Sequence, residues 1–110
     1  MAGYFECKPA AGEQFMFNLK AGNHEIILTS ERYVAKASCM AGIESVRKNA
    51  ATDANFVRKV AKDQSNYFVL IAANSQTIGK SEMYSSTAAM EKGIASVKTN
   101  AVDGAVKDLC

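Results

Sequence analysis

Gly42-Ile43-Glu44-Ser45-Val46-Arg47-Lys48-Asn49-Ala50 returns fifty-one residues later as Gly93-Ile94-Ala95-Ser96-Val97-Lys98-Thr99-Asn100-Ala101. Outward from that stretch, the same shift lays residues 5–50 without a gap on residues 56–101, with eighteen identities among forty-six pairs. Two copies of one unit are expected, repeat 1 at 5–50 and repeat 2 at 56–101. A unit of about fifty residues buries too little surface to be comfortably stable alone. The copies are therefore expected to share one core in a single domain spanning 1–110.

The quoted stretch carries the period of a helix. Cys39, Ile43, Val46 and Ala50 recur at steps of four, three and four, as do Met90, Ile94, Val97 and Ala101, so each copy presents an apolar stripe to a sheet. Ser85 or Ser86 suits the N-cap of the second helix, whereas Val34 and Ala35 hold those places in the first. The first helix is expected to start less firmly. Gly42 and Gly93 lie in mid-helix, where glycine costs about 1 kcal/mol relative to alanine, and imply close packing of the backbone on a strand or the other helix. Asn49 and Asn100 read as C-terminal caps, since asparagine tolerates the left-handed conformation.

Upstream of each helix the period changes from helical to two. In repeat 1, Tyr4 to Lys8 alternates and Pro9 closes it; Gln14 to Lys20 places Phe15, Phe17 and Leu19 on one face; His24 to Thr29 forms a third strand. Repeat 2 follows with Asn55 to Val60, Asn66 to Ala72 and Ser75 to Lys80. Short connections favour an antiparallel meander. The tail from Val102 to Cys110 holds Gly104 and mixed charges and is expected to fray.

The strand meander, Ser-Glu-x-Tyr at 30–33 and 81–84, and Gly-Ile-x-Ser-Val-Lys/Arg-x-Asn-Ala together resemble the YegP-like family of small uncharacterised bacterial proteins. The resemblance covers nearly the whole chain. It implies three strands and a helix per repeat, with the strands joined into a common sheet and the helices exchanged across it. The family's lysine and small residues at the helix start are kept by Lys36-Ala37 and only partly by Thr87-Ala88. No established activity comes with the resemblance. The expected fold is α+β: two pseudo-twofold β-β-β-α repeats, one antiparallel sheet, and both helices on one face.

Composition narrows function mainly by exclusion. With 48% hydrophobic and 22% charged residues the chain is ordinary globular protein, and a net charge of +2 is too mild to imply nucleic acid. Cys7, Cys39 and Cys110 are far apart and match no CxxC or zinc spacing, so buried free thiols, or one incidental exposed terminal thiol, are expected. No cofactor or metal is called for. The Met1-Ala2-Gly3-Tyr4 start lacks a basic region followed by an apolar stretch, and no run approaches membrane-spanning length. A cytoplasmic protein, away from membranes, is the expectation. His24 is the only histidine and lies in a turn, and the glycines are isolated, so a two-histidine metal site and a phosphate-cradling loop are both excluded.

Two surfaces are candidates for binding. Ser30, Glu31 and Tyr33, with Ser81, Glu82 and Tyr84, repeat a hydroxyl, a carboxylate and a phenol at one junction. On the sheet face opposite the helices, Tyr67, Val69 and Ile71 in repeat 2, Ile26 and Leu28 in repeat 1, and Met16 suggest an apolar patch suited to a protein partner. The expected function is that of a non-catalytic interaction or binding module, monomeric with an internal pseudo-dimer. The alternative is weak nucleic-acid association through Lys8, Arg47, Lys48, Arg58, Lys59, Lys62 and Lys98, with Tyr67 or Tyr84 for stacking. Enzyme activity ranks last, since no nucleophile, base and orienting group can be placed together.

Overall fold

The structure, a computed structural model, describes residues 3–110; Met1 and Ala2, part of the start searched for a targeting signal, lie outside the described residues. The chain runs β1 (Tyr4–Ala10), β2 (Gln14–Lys20), β3 (Ile26–Ser30), α1 (Lys36–Asn49), a 3-10 turn (Asp53–Asn55), β4 (Phe56–Val60), β5 (Asn66–Ile71), β6 (Thr77–Lys80), α2 (Thr87–Asp103) and β7 (Ala105–Asp108). Pro9 lies inside β1 and faces Phe15. Its missing N–H falls on the side of β7, whose pairing with β1 ends at Cys7↔Asp108, so the ladder loses no bond there. Strands β3 and β6 start two residues later than their alternation suggests. Asn23 Oδ1 accepts from Glu25 N and Asn74 Oδ1 from Gln76 N, both at 3.1 Å, which holds His24 at φ 70° and Ser75 at φ 68° inside the turns.

One seven-stranded sheet carries both repeats in the order β4-β5-β6-β3-β2-β1-β7. The repeats meet where β3 pairs antiparallel with β6 through Thr29↔Lys80 and Ser30↔Gly79. Thr29 and Lys80 are themselves equivalent positions, fifty-one residues apart, so the pseudo-twofold axis passes between them. Both helices lie on one face, over a core that joins Phe5, Phe17, Leu19, Phe68 and Leu70 to Ile43, Val46, Ile94 and Val97. Each helix packs on the central strand of its own repeat, α1 on β2 and α2 on β5, and straddles strands of the other repeat as well.

Two expectations need correcting. The tail does not fray: β7 adds parallel to β1, through Tyr4↔Ala105 and Cys7↔Asp108, and makes the sheet mixed. The long second helix returns the chain beside β1, whose open edge offers unpaired backbone groups. Gly104 permits the turn, because a Cβ there would lie 2.7 Å from the Asn100 carbonyl oxygen and 3.1 Å from the Phe5 ring. Asn49 and Asn100 are not left-handed caps. They lie in the helices, and their amide nitrogens donate back to the Ser45 and Ser96 carbonyls at 2.9 and 2.7 Å, while Asn100 Oδ1 accepts from Gly3 N at 2.9 Å. Among the described residues no helix is long and apolar enough to cross a membrane.

Candidate functional site

The two Ser-Glu-x-Tyr junctions have the same internal wiring. Ser30 Oγ accepts from Phe17 N at 2.9 Å and donates to the Glu31 carbonyl at 2.7 Å; Ser81 Oγ accepts from Phe68 N at 3.0 Å and donates to the Glu82 carbonyl at 2.8 Å. Each serine is buried and holds together the place where a strand leaves its ladder. Tyr33 and Tyr84 stack on Phe17 and Phe68, with centroids 6.4 and 6.3 Å apart. Their hydroxyls lie over the backbones of Gly42 and Gly93, where an added Cβ would strike them, within 2.5 Å in the case of Tyr33. The helix glycines thus make room for a tyrosine and, at Gly42, also for the β2 side chain Phe17, rather than for the other helix. Burial pushes both phenols above their ordinary pKa.

Glu31 and Glu82 remain exposed, and the fold sets both on one cleft. Being equivalent residues just past β3 and β6, they flank the twofold axis. With Thr29, Lys80 and Met83 they line a cleft of about 370 Å³. The cleft opens beside the helix-free face, since Thr29 pairs with Asn18, which alternates with the core residues Phe17 and Leu19. A row of side chains crosses that face through Lys107, Glu6, Asn18, Thr29, Lys80, Val69 and Val57.

The apolar patch is smaller than its sequence suggests. Val69 is 8% exposed, Tyr67 and Ile71 are half-buried, and Lys80 Nζ sits 4.9 Å from the Tyr67 ring centre. Leu28 turns into the core, opposite Leu19, because a bulge at Leu19/Lys20 shifts the register. The cations considered for nucleic acid are partly tied up: Arg58 binds Glu91 and Asp53, Lys98 binds Asp53, and Arg47 binds Glu44. Tyr84, stacked on Phe68, offers no free face on that side for a base.

Sequence reasoning missed two features. A second cleft, about 490 Å³, lies between α1 and the β5–β6 hairpin and is lined by Glu31, Tyr33, Ser38, Ser45, Asn74 and Thr77. Its sequence signal is the small-residue run Ser38, Ala41, Gly42, Ser45; repeat 2 has Lys92 where Ala41 stands. The three cysteines also converge, Cys7 lying 3.6 Å from Cys39 and 3.4 Å from Cys110 between sulfurs. Cys7 and Cys39 are buried and Cys110 is exposed, as expected of them singly.

Known proteins place this architecture. A model for a domain of unknown function, DUF1508, matches residues 10–56 and again 61–108. A UPF0339 protein of Bordetella pertussis is 61% identical over 108 residues, covering 98% of this chain and 96% of its own. The chain belongs to the UPF0339 family. The UPF0339 protein YegP of Escherichia coli is 50% identical over 108 residues, with 98% of each chain covered. Two solved structures extend the likeness to three dimensions. The UPF0339 protein of Shewanella oneidensis matches with a TM-score of 0.92 at 50% identity, covering 98% of this chain and 92% of that one. The E. coli YegP structure, described as a protein of unknown function, matches with a TM-score of 0.93 at 49% identity, covering 98% and 93%. The UPF0339 fold is thus the paired-repeat sheet with two helices, and these relatives bring no named activity.

Proposed function

We propose that the protein is a non-catalytic binding module, a monomeric single domain with an internal pseudo-dimer, whose working surface is the helix-free face around the Thr29/Lys80 axis. The observation that carries this reading is the convergence of Glu31 and Glu82 on one cleft beside that face. The serines and tyrosines of the junctions hold the cleft in shape through bonds internal to the fold, leaving the carboxylates to meet a partner. Two carboxylates about one lysine suit a protein segment that presents a cationic side chain, with the exposed Met83 offering apolar contact beside it.

Capture from native lysate, read by mass spectrometry, tests this with the Glu31→Gln/Glu82→Gln variant beside the unaltered protein. The expected result is specific loss of a captured protein at an unchanged melting temperature, with capture weakening as salt rises. Capture unaffected by the double substitution, or lost only in step with stability, would overturn the reading. A Val34→Ser variant, altered at an exposed site before α1, serves as the control and should capture normally.

A further inference from the structure

Cys7 points into the core from β1, Cys39 lies in the first turn of α1, and Cys110 follows β7. Parallel pairing of β7 with β1 sets Asp108 directly beside Cys7, and Leu109 N donates to the Cys7 carbonyl at 2.8 Å. The ligand atoms of Cys7, Cys110 and Asp108 all lie within 4.8 Å of one another, and the Cys39 sulfur adjoins the Cys7 sulfur at 3.6 Å. Three donors, two sulfurs and a carboxylate oxygen, thus gather in one place, with Cys39 beside Cys7 alone. Repeat 2 has nothing comparable: Arg58 and Met90 stand at the places of Cys7 and Cys39, and Arg58 is held by Glu91 and Asp53.

We propose that this cluster is a site for a thiophilic divalent cation of the zinc type, bound by Cys7 and Cys110 as thiolates and by Asp108 through one carboxylate oxygen, with solvent as the fourth ligand. A tetrahedral zinc with bonds of about 2.3 Å to sulfur sets its sulfurs about 3.8 Å apart. The Cys7 and Cys110 sulfurs are 3.4 Å apart, so a small outward shift brings them to that spacing. Mixed sulfur and carboxylate ligation is chemistry that zinc accepts and that magnesium or calcium does not. Asp108 is also positioned for the role. Its Oδ2 is 2.5 Å from Lys36 Nζ and its Oδ1 accepts from Cys110 N at 3.0 Å, so the ligand is oriented from behind. Two thiolates and a carboxylate carry one more negative charge than a divalent cation neutralises, and Lys36 beside Asp108 offsets it.

Binding forms two metal–sulfur bonds and releases two thiol protons to solvent, so uptake should strengthen as pH rises. A bound ion would fasten β7 to β1.

Titration of the reduced full-length protein with Co²⁺, followed by displacement with Zn²⁺, tests the assignment. Expected are one equivalent bound, the strong visible bands of tetrahedral cobalt with sulfur charge transfer, and a higher melting temperature with zinc. Cys110→Ser, at an exposed position that leaves the core intact, should weaken zinc binding by at least about tenfold, and Asp108→Asn should weaken it less. Cobalt that keeps the weak spectrum of an octahedral aquo ion would overturn the proposal. So would equal zinc affinity in Cys110→Ser, or a Cys7–Cys110 disulfide that forms in air regardless of added zinc.

Discussion

Gly93 lies beneath the hydroxyl of Tyr84, and this contact decides what the residue is for. Alanine there would gain about 1 kcal/mol of helix propensity. Overpacking a ring already stacked on Phe68 costs about 1–3 kcal/mol, so the steric cost should win. Gly93→Ala should lower stability to chemical denaturation by about 1 kcal/mol, and Tyr84→Phe, by removing the hydroxyl, should recover part of that loss. Asn18 presents the opposite case. It is 2% exposed, its Oδ1 has no hydrogen-bond partner among the described residues, and repeat 2 has Val69 in its place. Asn18→Val should therefore raise stability by about 1 kcal/mol, and a loss would mean that the amide is satisfied after all. The buried acids add a dependence on pH. Burial raises the phenols of Tyr33 and Tyr84 above 10.0 and the thiols of Cys7 and Cys39 above 9.0. Each holds its proton more tightly folded than unfolded, so the stability present below those ordinary values is lost as pH rises through the folded ones. Melting temperature should fall from about pH 9 upward, and Tyr33→Phe/Tyr84→Phe should flatten the decline above pH 10.

The two helices show how far local signals carry. Ser86 Oγ accepts from Ala89 N at 3.1 Å and caps α2, whereas Ala35 precedes α1 with no side-chain cap. Both conditions are local chemistry and could be read from residue type. Ala35→Ser should supply the missing acceptor and stabilise the protein by about 1 kcal/mol, with slower amide exchange confined to the first turn of α1; no change there would count against it. Strand β7 had no such signal. Ala105 to Asp108 has little alternation and few branched residues, and it pairs because α2 delivers it to an open edge. The bulge between Leu19 and Lys20 was hidden as well. Alternation placed Leu28 outside, and one shifted residue put it in the core.

Across the whole molecule, the joint between β3 and β6 explains why the copies differ where they meet. Leu28 and Gly79 are equivalent positions, and a Cβ on Gly79 would lie 3.0 Å from Leu28 Cγ and from the Thr29 carbonyl oxygen. One leucine fills space at the axis that two could not share. Gly79→Leu should cost about 3 kcal/mol, and adding Leu28→Gly should restore much of it; failure of the pair to compensate would show that the backbone contact dominates. The same geometry assembles the candidate cleft, since Glu31 and Glu82 come to line one cleft only after the repeats join. The sequence by itself determined the duplication, the β-β-β-α order, the apolar stripes of the helices and the buried phenylalanines, because each follows from the period of side chains along a strand or helix. Only the tertiary structure decided the strand order, the addition of β7, the tyrosines over the glycines and the meeting of three cysteines. These depend on contacts between residues far apart in the chain, and no local period records which distant surface a side chain will find.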